Sequence, residues 1–396
     1  MLQLPKLTSR IRAAGTRARA PADPASKAVQ AAFDAAVQKC YIDRHRSQLL
    51  TSEDLDMLWD LLWEHASGGT PDERRLSYDD FVAVRELLPP KFDAYMRSSI
   101  FMQFLPDEWG HVSVLFFFNF VLRKVGLMQA RLDMSSYDAD KDGYLTEPEF
   151  EAFLLDLLPT LNLDNLSPDV EHFYVCSTSR KFFYCLDTKR RGKLSIQQIL
   201  LSNTLIELFE LREAGRREEI EQNNWFSCTN SMRLYERYSR LDTNNDGLLS
   251  RSEMTGFQSA TYSSAYLDRL FHERSSGGQI DYRTFVDLVL AVDNPMEPES
   301  IAFQFRLLDM KNQGFLDEAT VTFMFRSVLE RMVEFGHEPV NLSDVVNEIF
   351  DMASPKCGSY ITLNDLLASG IGGTITTILS DCRGFWAYDN RESEGK

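Results

Sequence analysis

Apolar residues recur along most of the chain at the three- and four-residue spacing that places them on one face of a helix. The clearest case follows a capping box at Thr51–Asp54, and its apolar face consists of Leu55, Leu58, Trp59 and Leu62. Strand-like segments are confined to two or three residues beside glycine-containing loops. The pattern predicts an all-α, elongated protein built from helix pairs, in which only very short β contacts join the loops.

A dense aromatic block covers Phe101–Leu127 and contains phenylalanine at positions 116–118 and 120. Such a run at helical length is typical of a buried core, and the alternative is an exposed ridge that binds a partner. The most apolar stretch within it, Val112–Leu122, is interrupted by Ser113 and Asn119. It is too short to cross a bilayer, so we expect no transmembrane segment.

From residue 138 onwards one unit recurs: a helix, a loop around a glycine, an apolar residue two positions after the glycine, and a second helix. Repetition at about 30–50 residues indicates a repeat architecture. The unit follows the plan of the EF-hand, whose loops pair through a short antiparallel contact at their eighth position. The expected contacts join Leu145 with Leu194, Leu249 with Ile280, and Leu316 with Ile361.

Two joints separate the groups of repeats: the charged stretch Arg212–Glu221 and the proline-containing stretch Pro295–Pro298. They predict five regions along the chain. These are a disordered basic tail (1–35), an N-terminal helical region (36–130), a first EF-hand pair (131–222), a second pair (223–298), and a degenerate third pair with the C-terminal segment (299–396).

Two loops, Asp138–Glu149 and Asp242–Glu253, have the composition of calcium sites. Calcium takes six to eight oxygen ligands, and a twelve-residue EF-hand loop provides them from positions 1, 3, 5, 7, 9 and 12 around a glycine at position 6. Both loops satisfy all of these positions, so we predict two bound calcium ions. The predicted ligands are Asp138, Asp140, Asp142, the Tyr144 carbonyl, Thr146 and Glu149 in the first loop, and Asp242, Asn244, Asp246, the Leu248 carbonyl, Ser250 and Glu253 in the second.

Four further loops keep the frame but lack the ligands, and we predict that they bind no metal. Each would serve as a pairing partner, so that the first two pairs hold one intact loop each and the third pair holds none. The degenerate loops are Asp187–Gln198, with Lys189 and Arg191 at ligand positions, Asp309–Thr320, with Lys311 and Gln313, and the regions near Glu273–Thr284 and around Asp351–Leu363.

Charge is distributed unevenly along the chain. The formal net charge is −17, which disfavours nucleic acid as a direct partner because phosphates would be repelled. Residues 1–30 nevertheless carry six basic residues and one acidic residue, a net charge of +5, so the remainder carries −22. This composition favours a disordered basic arm. Two alternative interpretations are an organelle transit peptide and a segment that contacts an acidic surface such as a microtubule or membrane.

Sequence signals for catalysis are lacking. The chain contains no phosphate-binding loop of the GxxxxGK[ST] type, no kinase glycine loop with a catalytic HRD, and no GxSxG nucleophile motif. The six cysteines are scattered without a CxxC pair, which favours reduced thiols in a cytoplasmic protein. We therefore expect a non-enzymatic protein.

Several segments resemble the B''-type regulatory subunits of protein phosphatase 2A, and the resemblance extends from about Tyr41 to Glu392. Within the family it is strongest to the plant Tonneau/FASS branch and to its animal relative, the gamma form. The segments that carry it are Arg180–Asp187, Arg190–Lys193, Asn224–Ser227, Tyr235–Ser252, Ile280–Leu290, Phe305–Asp309, Gly372–Thr374 and Gly384–Glu392.

The resemblance implies a helical subunit that binds the scaffold (A) and catalytic (C) subunits of the phosphatase, selects substrates and location, and responds to calcium. It also implies a role at microtubule arrays, the division plane, centrosomes or basal bodies, with microtubule- or centrosome-associated proteins as partners. The implied location is cytoplasmic and associated with the cytoskeleton, and the nucleus is an alternative location. Two alternatives stay open. One is a calcium-sensing cytoskeletal or axonemal protein without a phosphatase, and the other is an enzyme regulated by EF-hands.

Overall fold

The structure, a computed structural model, describes residues 24–391 except 69, 71–72, 164–165, 213–216, 276 and 339. The chain divides into two compact units, Met1–Ser136 and Tyr137–Lys396. Residues 1–23 of the predicted basic tail lie outside the described residues, whereas residues 24–35 form the beginning of the first helix. The expected all-α fold with short β contacts is confirmed.

The first unit contains five helices, one two-stranded sheet and a 3-10 helix (Pro90–Phe92) among its described residues. Thr51 and Ser77 cap the second and third helices through capping boxes with Asp54 and Asp80, as predicted for Thr51. The elements are α1 (Pro24–Arg46), α2 (Ser52–His65), β1 (Arg75–Leu76), α3 (Tyr78–Leu87), α4 (Ser98–Phe101), β2 (Val112–Ser113) and α5 (Val114–Tyr137).

This unit repeats the helix–loop–strand–helix plan, which the sequence did not reveal. Strands β1 and β2 are antiparallel and bring Leu76 opposite Val112, and both side chains are buried. Neither preceding loop has the ligand spacing of an EF-hand, so only the tertiary pairing identifies the relationship.

The aromatic block divides between core and surface. Phe117 is fully buried and contacts Phe81 edge-on, whereas Phe116 is 68% exposed and Trp109 is 81% exposed. Successive residues of a helix point in different directions, so one turn cannot bury all of a consecutive run. The interpretation of the block as core is therefore correct for one face only.

The second unit holds the predicted EF-hand repeats. Its described elements are β3 (Tyr144–Thr146), α6 (Glu147–Leu157), α7 (Pro168–Leu186), β4 (Lys193–Ser195), α8 (Ile196–Leu201), α9 (Asn203–Glu210), α10 (Arg217–Asn223), α11 (Cys228–Leu241), β5 (Leu249–Ser250), α12 (Ser264–Arg274), β6 (Gln279–Ile280), α13 (Tyr282–Asp293), α14 (Pro298–Leu308), β7 (Phe315–Asp317), α15 (Glu318–Glu334), α16 (Leu342–Ala353), β8 (Tyr360–Thr362), α17 (Leu363–Ser369), α18 (Gly372–Ile378) and α19 (Cys382–Asp389), with 3-10 helices at Leu158–Thr160 and Glu253–Ala260.

Three antiparallel strand pairs join the loops of this unit, and their register confirms the expected contacts. Strand β3 pairs with β4, β5 with β6, and β7 with β8. All six central side chains are fully buried, because the apolar residue at this position plugs the space between the paired helices. The residues that face each other are Leu145 and Leu194, Leu249 and Ile280, and Leu316 and Ile361.

The segment after the second intact loop departs from the predicted helix. It forms a 3-10 helix, Glu253–Ala260, in which three consecutive residues, 258–260, have positive φ values of 50°, 59° and 67°. Gly256 weakens the helix locally, and the carbonyl of Ala260 accepts a 2.6 Å hydrogen bond from Arg331 Nε. Tertiary contacts therefore override the helical repeat at this point.

None of the helices among the described residues combines the length and the apolar character that a bilayer crossing requires.

Candidate metal centres

The first intact loop owes its turn to its own side chains. Lys141 and Gly143 adopt the left-handed backbone conformation, with φ values of 62° and 81°. The Asp138 carboxylate accepts hydrogen bonds from the backbone N–H groups of Asp142 (3.2 Å) and Gly143 (2.9 Å). The loop residues alone therefore wrap the chain around a central space.

Three carboxylates meet in that space. Each of Asp138, Asp140 and Asp142 offers one oxygen, and these atoms lie within 4.8 Å of one another. Burial and the neighbouring carboxyls of Asp140 and Asp142 raise the pKa of Asp138. A hard divalent cation would relieve this repulsion and satisfy the oxygens, so the donor set fits calcium.

Glu149 closes the loop from the start of α6. Its Oε1 accepts a hydrogen bond from the Ala139 N–H at 3.2 Å, and its Oε2 accepts from the Thr146 N–H and hydroxyl, both at 2.8 Å. Burial opposes ionisation, but these hydrogen bonds prevail and lower the pKa of Glu149. The carboxylate therefore already spans both ends of the loop.

The second loop reproduces this geometry. Asp242 accepts hydrogen bonds from the N–H groups of Asp246 (3.2 Å) and Gly247 (3.0 Å). Glu253 accepts from the N–H groups of Thr243 (3.0 Å) and Ser250 (2.9 Å), and hydrogen bonds, those from Ser250 foremost, lower its pKa to about 2. The second loop thus repeats the hydrogen bonds that the aspartate at position 1 and the glutamate at position 12 form in the first loop.

In the first two pairs, the degenerate loop contacts a predicted ligand of the intact loop, which the sequence analysis missed. Lys193 Nζ lies 2.5 Å from Asp142 Oδ2, and Gln279 Nε2 lies 3.1 Å from Asp246 Oδ2. Lys193 and Gln279 each directly precede the paired apolar residue of their loop. The predicted pairing does not identify either contact, because the strand register places Lys193 opposite Thr146 and Gln279 opposite Ser250. The two side chains reach Asp142 and Asp246 from there, and only the folded chain shows this.

Two degenerate loops keep the EF-hand turn without the ligands. Asp187 Oδ2 accepts from the Gly192 N–H at 2.7 Å, and Asp309 Oδ2 accepts from the Gly314 N–H at 2.7 Å. In the Asp309 loop, the ammonium of Lys311 lies 2.7 Å from Asp317 Oδ2. A cation of the chain itself therefore neutralises one of the loop's carboxylates.

The Arg180–Phe183 stretch, part of one of the segments that carry the family resemblance, mainly forms contacts within the fold. Phe182 and Phe183 are buried, and Arg180 forms ion pairs with Asp287 at 2.7 Å and with Glu147 at 3.2 Å. These contacts hold α7 to α13 and to the start of α6.

Comparison with known proteins connects these features to a family. A family model described as "EF hand" matches residues 133–154, which include the first intact loop. The gamma form of the B'' regulatory subunit of serine/threonine-protein phosphatase 2A from Bos taurus is 41% identical over 360 residues, covering 89% of this chain and 79% of the relative. The corresponding Homo sapiens protein is 40% identical over 360 residues, with the same coverage.

A plant protein and a solved structure extend the comparison. A protein of Arabidopsis thaliana, named as the probable phosphatase 2A B'' regulatory subunit TON2, is 36% identical over 370 residues, covering 89% of this chain and 77% of the relative. A chain of a solved PP2A PR70 holoenzyme matches 62% of this chain and 93% of its own length, with a TM-score of 0.56 and 23% identity. That structural match shows a shared fold.

Proposed function

We propose, since this chain belongs to the family of B'' regulatory subunits of protein phosphatase 2A, that it joins the scaffold and catalytic subunits in a holoenzyme and binds two calcium ions. Its membership of this family confirms the expectation of a regulatory subunit rather than an enzyme. The observation that carries the calcium proposal is the matched geometry of the two intact loops, each closed by a glutamate.

Calcium would act through the glutamates at position 12. Coordination by Glu149 competes with its hydrogen bonds to Ala139 and Thr146, and coordination by Glu253 competes with those to Thr243 and Ser250. Binding therefore fixes the helices that flank each loop, which in turn orders the surface offered to the scaffold. In this role, bound calcium regulates assembly of the holoenzyme, and the protein does not act as a calcium buffer.

The test is recovery of scaffold and catalytic subunits by the intact chain, in calcium and in chelator. We expect both subunits to be recovered, and more strongly in calcium. The Glu149→Gln and Glu253→Gln double variant should lose the calcium-dependent part, because an amide provides one oxygen where the carboxylate provides two. Glu318→Gln, an exposed glutamate in a degenerate loop, is the matched control and should behave like the parent chain.

Two results would change the proposal. If neither subunit is recovered under either condition, while the chain sediments with purified microtubules, the protein is a cytoskeletal calcium sensor without a phosphatase. If the subunits are recovered equally in calcium and chelator and the double variant has no effect, any bound calcium has no role in assembly.

We further propose that the holoenzyme is directed to microtubule, centrosomal or division-plane structures in the cytoplasm. Support comes from the identity with the TON2 protein and from the resemblance of Gly384–Glu392 to that branch. Imaging of the tagged full chain and of residues 24–396, which keep the whole of α1, tests this, and the shorter form shows whether residues 1–23 of the basic tail contribute. A diffuse distribution of both forms throughout the cell cycle would contradict it.

A further inference from the structure

Four arginines converge in the second unit, around the buried Asp287 and the ring of Phe303. Arg190 comes from the degenerate loop after α7, Arg274 ends α12, and Arg306 lies in the last turn of α14. The guanidinium carbon of Arg274 lies 5.1 Å from the centre of the Phe303 ring and that of Arg190 lies 6.0 Å from it. The fourth arginine is Arg180.

Asp287 does not neutralise this cluster. Both of its oxygens accept hydrogen bonds from Arg180, at 2.7 and 2.8 Å, so its single charge faces four guanidinium groups. Among the described residues, no carboxylate lies within 4.0 Å of a side-chain nitrogen of Arg190, Arg274 or Arg306. Three guanidinium groups therefore share a site without an anion of their own.

Burial and like charges both disfavour the charged form of Arg190. Burial, together with the charges of Arg274 and Arg306, lowers the pKa of Arg190 to about 10. The Nε of Arg306 is buried and has no hydrogen-bond partner among the described residues. Helix C-termini attract positive charge, but that attraction does not supply the missing acceptor for this N–H group.

The cluster is open to a ligand at one edge. Arg190 as a whole residue is exposed, although neighbouring atoms crowd its guanidinium, and Arg274 and Arg306 are half-buried. Arg190 has a φ of 51° and occupies the loop position that Lys141 occupies in the intact loop, with Lys189 and Arg191 beside it. The degenerate loop thus keeps the EF-hand turn but presents positive charge where an intact loop presents carboxylates.

We propose that Arg190, Arg274 and Arg306 form a binding site for the phosphate of a phosphorylated serine or threonine in a protein segment. Guanidinium groups pair with phosphate through forked, charge-assisted hydrogen bonds, and a doubly charged group with three free oxygens suits three arginines better than one carboxylate does. The site rests on the proposed function, because a phosphatase subunit meets phosphorylated proteins. Through this site the subunit would bind phosphorylated substrate proteins of the phosphatase.

Fluorescence anisotropy with the full chain tests this. The probe is a fluorescein-labelled Gly-Ala-Gly-phosphoserine-Gly-Ala-Gly peptide, at constant ionic strength and with calcium chelated so that the intact loops cannot bridge to phosphate. The comparison peptides carry serine or glutamate at the central position, and inorganic phosphate serves as competitor. We expect the phosphorylated peptide to bind and the other two to bind at least about tenfold more weakly.

The variants Arg274→Gln and Arg306→Gln should each weaken binding of the phosphorylated peptide by about tenfold, the worth of a charge-assisted hydrogen bond. Arg85→Gln, an exposed arginine in the first unit, should leave binding unchanged. Without peptide, Arg306→Gln should melt at the same temperature as the parent or higher, because it removes an uncompensated charge. That measurement separates loss of the site from loss of the fold.

The site is refuted if the phosphorylated peptide does not bind, if the glutamate peptide binds equally well, or if both variants bind like the parent. The same variants in the scaffold recovery assay separate the two proposals. A refuted site with scaffold recovery intact leaves the regulatory role standing, whereas failure of the parent chain to recover the scaffold overturns that role first.

Discussion

The ammonium of Lys193 lies 2.5 Å from Oδ2 of Asp142, so the degenerate loop of the first pair places a positive charge on a predicted ligand of the intact loop. In the second pair, the neutral amide of Gln279 contacts Asp246 in the same way. Calcium entering the first loop must displace or tolerate a cation, which calcium entering the second loop does not meet. We therefore expect the partner loops, as well as the ligands of each loop, to affect the calcium affinity of the two predicted sites.

Replacing Lys193 by Gln should tighten calcium binding at the first loop by roughly tenfold, because it removes a unit positive charge that lies 2.5 Å from an oxygen of the predicted ligand Asp142. Calorimetric titration in a Glu253→Gln background isolates the first loop. The reciprocal control is Gln279→Lys in a Glu149→Gln background, which should weaken the second loop. Equal affinities for parent and variant in both titrations would show that the partner contacts do not tune the sites.

The empty loops should support the intact ones through the strand contact. Leu194→Ala leaves a cavity against the fully buried Leu145, which should cost about 2–5 kcal/mol of unfolding free energy and also weaken calcium binding at the first loop. Leu316→Ala makes a similar cavity in the third pair and should lower stability without changing that affinity. Chemical denaturation and titration measure the two effects. A similar loss of affinity in both variants would mean that affinity follows global stability instead of the local pair.

Asp287 should be critical for the second unit. Asp287→Asn leaves the guanidinium of Arg180 with Glu147, at 3.2 Å, as its remaining ion-pair partner, so the variant should lose up to about 3–5 kcal/mol, the cost of a broken buried ion pair. Asp293→Asn, which removes the exposed pair with Arg237, should cost about 0–1 kcal/mol. Urea unfolding of the two variants gives the comparison, and a small, equal effect would show that Glu147 and solvent compensate Arg180.

Low pH should lower the free energy of unfolding of the first unit, because the Asp54 carboxylate becomes protonated. Burial opposes ionisation of this carboxyl, but hydrogen bonds from Lys91 and Thr51 hold its pKa below the ordinary value of 3.8. A lowered folded-state pKa stabilises the fold above the unfolded-state pKa, and the contribution disappears as the pH falls from about 4 through the folded-state value. Asp54→Asn should therefore cost about 1 kcal/mol at pH 7 and progressively less below pH 4.

Urea midpoints at pH 7, 5, 4 and 3 measure this effect. Asp56→Asn, an exposed residue of the same helix, is the control and should follow the parent at every pH. If the urea midpoints of the parent and Asp54→Asn differ by the same amount at every pH, the contribution of Asp54 to stability does not depend on its negative charge.

The two intact loops, and the register in which each pairs with its degenerate partner loop, could be predicted from the amino-acid sequence alone. Their turns depend on contacts within about five residues, such as Asp138 with the Gly143 N–H, and a buried apolar residue at the eighth position leaves one way to align two loops. Family membership was also readable from the chain, since the resemblance extended over most of its length.

Which residues meet across long separations became known from the folded chain. Lys193 reaches Asp142 from 51 residues away, and Arg180 reaches Asp287 from 107 residues away. The pair of short strands in the first unit and the broken helix after Glu253 likewise depend on packing against distant segments. Local sequence patterns specify turns and the apolar faces of helices. The charges that surround a site depend on which of these faces pack together, and the tertiary structure determines that packing.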